Sequence, residues 1–127
     1  MRIAALFMTL LAMHIPMIAS AAGSSASPEQ AIIIHFLYGS TDFSKLYALE
    51  DRLEETVART RTGSLDGHEI AKDGRDGYLY LYGPDADALF NAIKSTLEET
   101  PFLNGAEVTK RYGQPDKKTR ETRLRIG

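Results

Sequence analysis

The sequence predicts an α+β domain in which one antiparallel sheet of four strands carries two helices on a single face. Three observations support this prediction. Four short segments are rich in β-branched and aromatic residues or alternate between apolar and polar residues, and apolar residues recur at every third or fourth position along two others. The six segments follow in the order strand, helix, strand, strand, helix, strand. Because connections are short and crossovers right-handed, this order favours the ferredoxin-like βαββαβ sandwich.

The first predicted strand covers residues 31–38 and is apolar on nearly both sides. Ile32, Ile34 and Phe36 share one face, while His35 lies on the opposite face, since successive side chains of a strand alternate. A strand that is apolar on both faces is typical of the centre of a sheet. We therefore expect this strand to have a neighbour on each side.

The first predicted helix follows Gly39, which ends the strand. Ser40 or Thr41 can cap this helix, and Asp42 in its first turn suits the positive end of the helix dipole. Four apolar residues then recur at helical spacing and predict the buried side: Leu46, Leu49, Leu53 and Val57. The helix is expected to end before Gly63.

A hairpin is predicted next. Residues 64–71 form a weak strand, and Gly67 within it indicates a bulge or an edge position. Turn-forming residues fill positions 72–77, and the alternating Tyr and Leu residues at 78–82 predict the strongest strand of the chain. The two strands therefore pair with each other.

The second predicted helix begins at Pro84, whose missing N–H costs nothing in a first turn, and Asp85 and Asp87 complement the dipole. Its buried residues are predicted to be Ala86, Leu89, Ile93 and Leu97. Pro101 ends the helix, and residues 106–112 form the last strand of the four. A fifth strand at 122–126 is left open by the alternation of apolar and basic residues there.

Two segments in this half of the chain, YGPDADALF at 82–90 and GAEVTKRYG at 105–113, resemble segments of small uncharacterised bacterial proteins. The matching residues are those of a helix entry and a strand. The resemblance supports the ferredoxin-like fold and implies no activity.

The N-terminus predicts export from the cytoplasm. A basic start, an apolar run at residues 3–13 and the small residues at 19–22 are typical of a signal peptide that is cleaved. The apolar run is shorter than the ~20 residues that span a bilayer, so we expect no membrane span after cleavage. The predicted division is a signal peptide at 1–22, a flexible lead at 23–30, a domain at 31–113 and a basic C-terminal tail at 114–127.

The composition limits the compartments in which the protein is expected and the kinds of chemistry that it can perform. The chain contains no cysteine, which excludes disulfides, thiol catalysis and cysteine metal sites. A periplasmic domain of this length can rely on its hydrophobic core, so we expect the periplasm first and secretion to the medium second. The net charge is −2, but the tail holds five basic residues against two acidic ones. This basic tail could fold back, touch an acidic partner or stay solvated.

The face of the sheet without helices is the strongest candidate for function. Tyr78, Tyr80 and Tyr82 are expected on this face because the leucines between them suit the core, and His35 is expected beside Tyr80. These four residues predict a binding platform for a protein. The alternatives are that tyrosine fills the strand by propensity alone, or that the tail or a second copy covers it. Nucleic acid is not expected, because the acidic body lacks a basic footprint.

A second cluster, Asp66, His68, Glu69, Asp73 and Asp76, is a weaker candidate for a metal site, although Asp73 and Asp76, each before a glycine, are explained more simply as turn residues. Carboxylate and imidazole ligands suit a divalent cation, but their spacing matches neither a calcium loop nor a zinc motif. His68 with a carboxylate beside it could act as a general base, although no third group is evident. The sequence thus predicts no cofactor, no metal and no catalytic residue.

Together these observations predict a noncatalytic exported binding protein whose partner is another protein. That partner would be a toxin or hydrolase, with this chain as its immunity protein or inhibitor. Two alternatives remain: a small enzyme or metal-dependent sensor that uses the His68 cluster, and a homodimeric structural domain that buries the tyrosines.

Overall fold

The computed structural model describes residues 29–127. The predicted signal peptide and residues 23–28 of the predicted lead lie outside the described residues. The elements are β1 (Gln30–Leu37), α1 (Ser44–Thr60), β2 (Ser64–Ile70), β3 (Asp76–Gly83), α2 (Ala86–Glu98), a 3₁₀ turn (Pro101–Leu103), β4 (Glu107–Arg111) and β5 (Glu121–Arg125). None of the helices in this part of the chain is long and apolar enough to cross a lipid bilayer.

The strands form one antiparallel sheet in the order β2-β3-β1-β4-β5. The predicted combination of two helices with an antiparallel sheet is confirmed, and it is consistent with a ferredoxin-like arrangement in general. The sheet has five strands rather than four, and the fifth strand that the sequence left open at 122–126 is present as β5. β5 pairs along the full length of β4, from Glu107 opposite Arg125 to Arg111 opposite Glu121. Leu124 packs against the core, which gives the fifth strand an apolar anchor.

The hydrophobic core lies between the sheet and both helices. The buried residues of the two helices include both predicted stripes in full. The core residues with no exposed surface include Ile32, Ile34, Leu79, Leu81 and Val108 from the sheet and Leu46, Leu53, Leu89, Ile93 and Leu97 from the helices. Burying one such side chain stabilises the fold by about 1.5–3 kcal/mol. Since the helices pack on each other and on one set of strand residues, they share one face of the sheet.

The two helix starts differ from the predicted ones. Phe43, and neither Ser40 nor Thr41, is the N-cap residue of α1. The Asp42 carboxylate instead accepts a hydrogen bond from the Ser44 N–H at 3.0 Å, because an aspartate side chain readily bonds the backbone two residues ahead. α2 begins at Ala86. The aspartate before it, predicted in the first turn, is the N-cap and accepts from the Ala88 N–H at 3.1 Å.

The predicted bulge in β2 lies at the expected glycine. Leu65 is opposite Leu81 and Gly67 is opposite Tyr80, so the register shifts by one residue between them. Gly67 has a φ of 139°, which favours glycine. The shift places His68 opposite Leu79, on the helix side of the sheet. The bulge thus decides which β2 side chains face away from the helices.

Candidate functional site: the open face of the sheet

The open face is the side of the sheet that no helix of residues 29–127 covers. Cross-strand pairing arranges its residues in three rows, each crossing the strands in the order β2, β3, β1, β4, β5. Row one is Glu69, Tyr78, His35, Glu107 and Arg125; row two is Gly67, Tyr80, Ile33, Thr109 and Arg123; row three is Ser64, Tyr82, Ala31, Arg111 and Glu121.

The four residues predicted as a binding platform all lie on the open face and are half-buried. The His35 and Tyr78 rings are stacked with centroids 4.6 Å apart and planes 19° apart. The Tyr78 and Tyr80 rings continue the stack at 6.2 Å and 14°. His35 was expected beside Tyr80, which is wrong, because the register places Ile33 opposite Tyr80. Three aromatic rings, those of His35, Tyr78 and Tyr80, thus form a ladder, and Tyr82 follows on the same face of β3.

An aspartate that the sequence assigned to the turn belongs to this site. His35 Nε2 donates a hydrogen bond to Asp76 Oδ1 at 2.5 Å. Asp76 is the first residue of β3 and lies opposite Leu37, one step beyond row one. The hydrogen bond and the Tyr78 stack together restrain the imidazole from two directions. The antiparallel alternation of β3 already places residues 76, 78, 80 and 82 on one face, which is the signal that could have identified Asp76.

The tyrosine of row two is tied to β2. Tyr80 Oη donates to Glu69 Oε2 at 3.4 Å. Burial raises the pKa of the Tyr80 hydroxyl, and the negative charge of Glu69 raises it further. A tyrosine hydroxyl is protonated at neutral pH even at its ordinary pKa, so Tyr80 is the donor and Glu69 the acceptor of this hydrogen bond.

Charge is unevenly distributed over the open face. The β2–β3 side carries two carboxylates, Glu69 and Asp76, beside the tyrosines. The β4–β5 side carries three arginines, Arg111, Arg123 and Arg125, interspersed with two glutamates. Two of these arginines were assigned to the predicted basic tail. Their alternation with apolar residues at 122–126 was the signal that would have placed them in the sheet.

One small hollow lies on each side of the aromatic ladder. One, of about 240 Å³, is lined by residues that include His35, Glu107 and Arg125. The other, of about 260 Å³, is lined by residues that include Glu69 and Tyr78. Small-molecule sites usually enclose about 300–1,000 Å³, so these hollows are better suited to single side chains of a partner.

The weaker predicted cluster is not brought together. His68 faces α1, where its Nδ1 forms a hydrogen bond with the Glu50 carboxylate and its ring lies 6.0 Å from that of Tyr47. Glu69 lies on the open face, because neighbouring residues of a strand point in opposite directions. Asp66 occupies the bulge. Within residues 29–127, no three His, Asp or Glu side chains form a group that could hold a metal ion.

Comparisons with protein-family models, curated proteins and solved structures gave no match. The resemblance of residues 82–90 and 105–113 to segments of small bacterial proteins therefore stays a prediction.

Proposed function

We propose that this chain is a noncatalytic protein-binding domain that contacts its partner through the open face. The observation that carries the proposal is the ladder of His35, Tyr78 and Tyr80, which is half-buried although no described helix covers it. Aromatic side chains with a polar tip contribute much of the energy of protein interfaces. Leu37 at the rim, 72% exposed, extends the apolar area.

The distribution of charge supports a protein as the partner. A lysine or arginine of the partner would meet Glu69 and the tyrosine faces, where cation–π contact adds to ion pairing. A carboxylate of the partner would meet Arg123 and Arg125. A surface with charges of both signs suits a protein better than a uniformly charged polymer.

The scaffold and compartment belong to the same proposal. We assign the domain to the ferredoxin-like sandwich with an added edge strand, because its first four strands follow the order β2-β3-β1-β4. The apolar N-terminus and the lack of cysteine support a periplasmic location. In that compartment the domain would act as an inhibitor or immunity protein toward a hydrolase or toxin. The alternative enzyme or metal-dependent sensor is less favoured, because His68 and Glu69 lie on opposite faces of the sheet.

The test compares one substitution on two sides of the molecule. The full chain is expressed, recovered from the periplasmic fraction and immobilised as wild type, as Tyr80→Asp and as Tyr47→Asp. Tyr47 lies on α1 with 53% of its surface exposed and is the matched control. Each protein that an immobilised variant captures from a periplasmic extract is then purified, and its binding to all three variants is measured by calorimetry.

We expect Tyr80→Asp to weaken binding of a genuine partner at least about tenfold, as loss of an interface anchor does, while Tyr47→Asp binds like wild type. Equal affinity for all three variants would show that the partner uses another surface. Recovery of the chain only from the cytoplasm would contradict the proposed location.

A further inference from the structure

We infer that a second copy of this chain covers the open face of the isolated protein in a two-fold symmetric, sheet-to-sheet dimer. This inference rests on the proposed function in one respect, because it uses the same face. It adds the identity of one occupant, which is the chain itself. The evidence for that occupant is the set of residues that the three rows bring together under two-fold symmetry.

A two-fold axis that runs parallel to the strands between two facing sheets, centred on β1, determines which strands meet. β1 lies over β1 of the second copy, β3 lies over β4 and β2 lies over β5. Each row of one copy then faces the same row of the other in reverse order. Aligned sheets stack about 10 Å apart with their strands within about 30°, so these pairings hold best near the axis.

Row one is complementary under this operation. Glu69 of one copy faces Arg125 of the other, and symmetry repeats the ion pair on the opposite side. Tyr78 faces Glu107, so that its hydroxyl can donate to a carboxylate. The two His35 rings meet near the axis, each held by the aspartate of its own chain.

Rows two and three are complementary as well. Arg123 faces Gly67, whose missing side chain leaves room for a guanidinium. Tyr82 faces Arg111, a pairing that allows cation–π contact. Near the axis, the rows contribute Ile33 and Ala31, which bring apolar surface into contact with itself. No row of the described face opposes two carboxylates or two guanidinium groups.

The size of the face predicts a weak dimer. Five strands spaced about 4.8 Å apart, with five to eight residues each at about 3.3 Å, give a face of roughly 24 Å by 17–26 Å. This footprint of about 400–620 Å² is smaller than the roughly 800 Å² that a standard-size specific interface buries on each partner. We therefore expect a dissociation constant in the micromolar range, which would let a tighter partner displace the second copy.

The test is sedimentation equilibrium of the purified wild type over about a hundredfold range of concentration, up to roughly 0.5 mM. Tyr80→Asp, the control Tyr47→Asp, the single variants Glu69→Arg and Arg125→Glu, and the double variant that exchanges the two charges are measured alongside. Circular dichroism of each variant verifies that it is folded.

We expect wild type and Tyr47→Asp to dimerise and Tyr80→Asp to remain monomeric. Each single charge variant should weaken the dimer about tenfold or more, and the double variant should recover most of that loss, as coupled pairs do. A wild type that is monomeric throughout overturns the inference, and so does a dimer that Tyr80→Asp leaves intact. If the dimer of the double variant is as weak as those of the single variants, the placement of the two-fold axis parallel to the strands is overturned.

These outcomes separate the inference from the proposed function. If the wild type is monomeric and Tyr80→Asp weakens the binding of a purified partner, the dimer is overturned and the proposed function stands. If the wild type forms a dimer that Tyr80→Asp disrupts, while every captured protein binds equally to Tyr80→Asp and Tyr47→Asp, the inference is supported. The same result contradicts the proposal that the open face binds a different protein.

Discussion

The two faces of the sheet come from the same strands but differ in what covers them. On the helix side, Ile34 and Leu79 have no exposed surface. One residue along, Ile33 and Tyr80 are half-buried on the open face. Along one strand, every second side chain therefore packs into the core and stabilises the fold, and the side chains between them form the contact surface. Substitutions one position apart should separate stability from binding.

The largest expected effect comes from the same substitution on each side of β1. Ile34→Ala should lower the free energy of unfolding by about 2–5 kcal/mol, because it removes a fully buried side chain and leaves a cavity. Ile33→Ala should cost less than half as much, because its site is already partly open to water. Urea unfolding at low protein concentration measures both. Equal losses would show that the open face is part of the core.

Much of this contrast could be predicted from the sequence. Alternation along β1 and β3 assigns each side chain to a face, and the helical stripes identify the covered one. The register of strand pairing was harder to predict from the sequence, since it depends on where the hairpin turn ends and on the β2 bulge. This is why His35 was expected beside Tyr80 rather than Tyr78. The pairing of His68 with Glu50 depends on how α1 packs on β2, which local patterns do not encode.

A smaller effect is expected at the edge of the helix side, where α2 is joined to β4. The Asp87 carboxylate accepts hydrogen bonds from Tyr112 Oη at 2.7 Å and from Lys110 Nζ at 3.0 Å. These hydrogen bonds, with that from the tyrosine first, lower the pKa of Asp87 in the folded protein. The carboxylate therefore stabilises the fold above its unfolded pKa, and the contribution is lost as pH falls through the lower folded pKa.

Asp87→Asn should accordingly lower the Tm at neutral pH, and the difference from wild type should shrink as the pH falls below the ordinary range of an aspartate. Thermal unfolding by circular dichroism at a series of pH values measures this difference. Asp51→Asn, on the exposed side of α1, is the control for loss of an aspartate carboxylate, and the two variants are compared at each pH. A difference that stays constant down to the lowest pH would contradict the role given to the Asp87 carboxylate.

The smallest expected effect concerns the open face alone. Glu69→Gln removes the negative charge beside the Tyr80 hydroxyl and should move its pKa down toward the ordinary tyrosine value, leaving the part of the shift that burial causes. Titration of the tyrosine ring resonances by NMR resolves the individual hydroxyls. Stability should hardly change, because Glu69 lies on the uncovered side of the sheet. An unchanged Tyr80 titration would contradict the contact between these two side chains.

The proposal that the open face is the surface this protein uses for contact has one direct test. The chain lacks cysteine, so a single cysteine can be introduced at Thr109 on the open face or at Glu54 on the exposed side of α1. The rate of maleimide labelling is measured in dilute buffer and at high concentration in periplasmic extract. We expect labelling to slow at position 109 under the second condition and to stay constant at position 54. Equal rates at position 109 under both conditions would contradict a contact role for the open face.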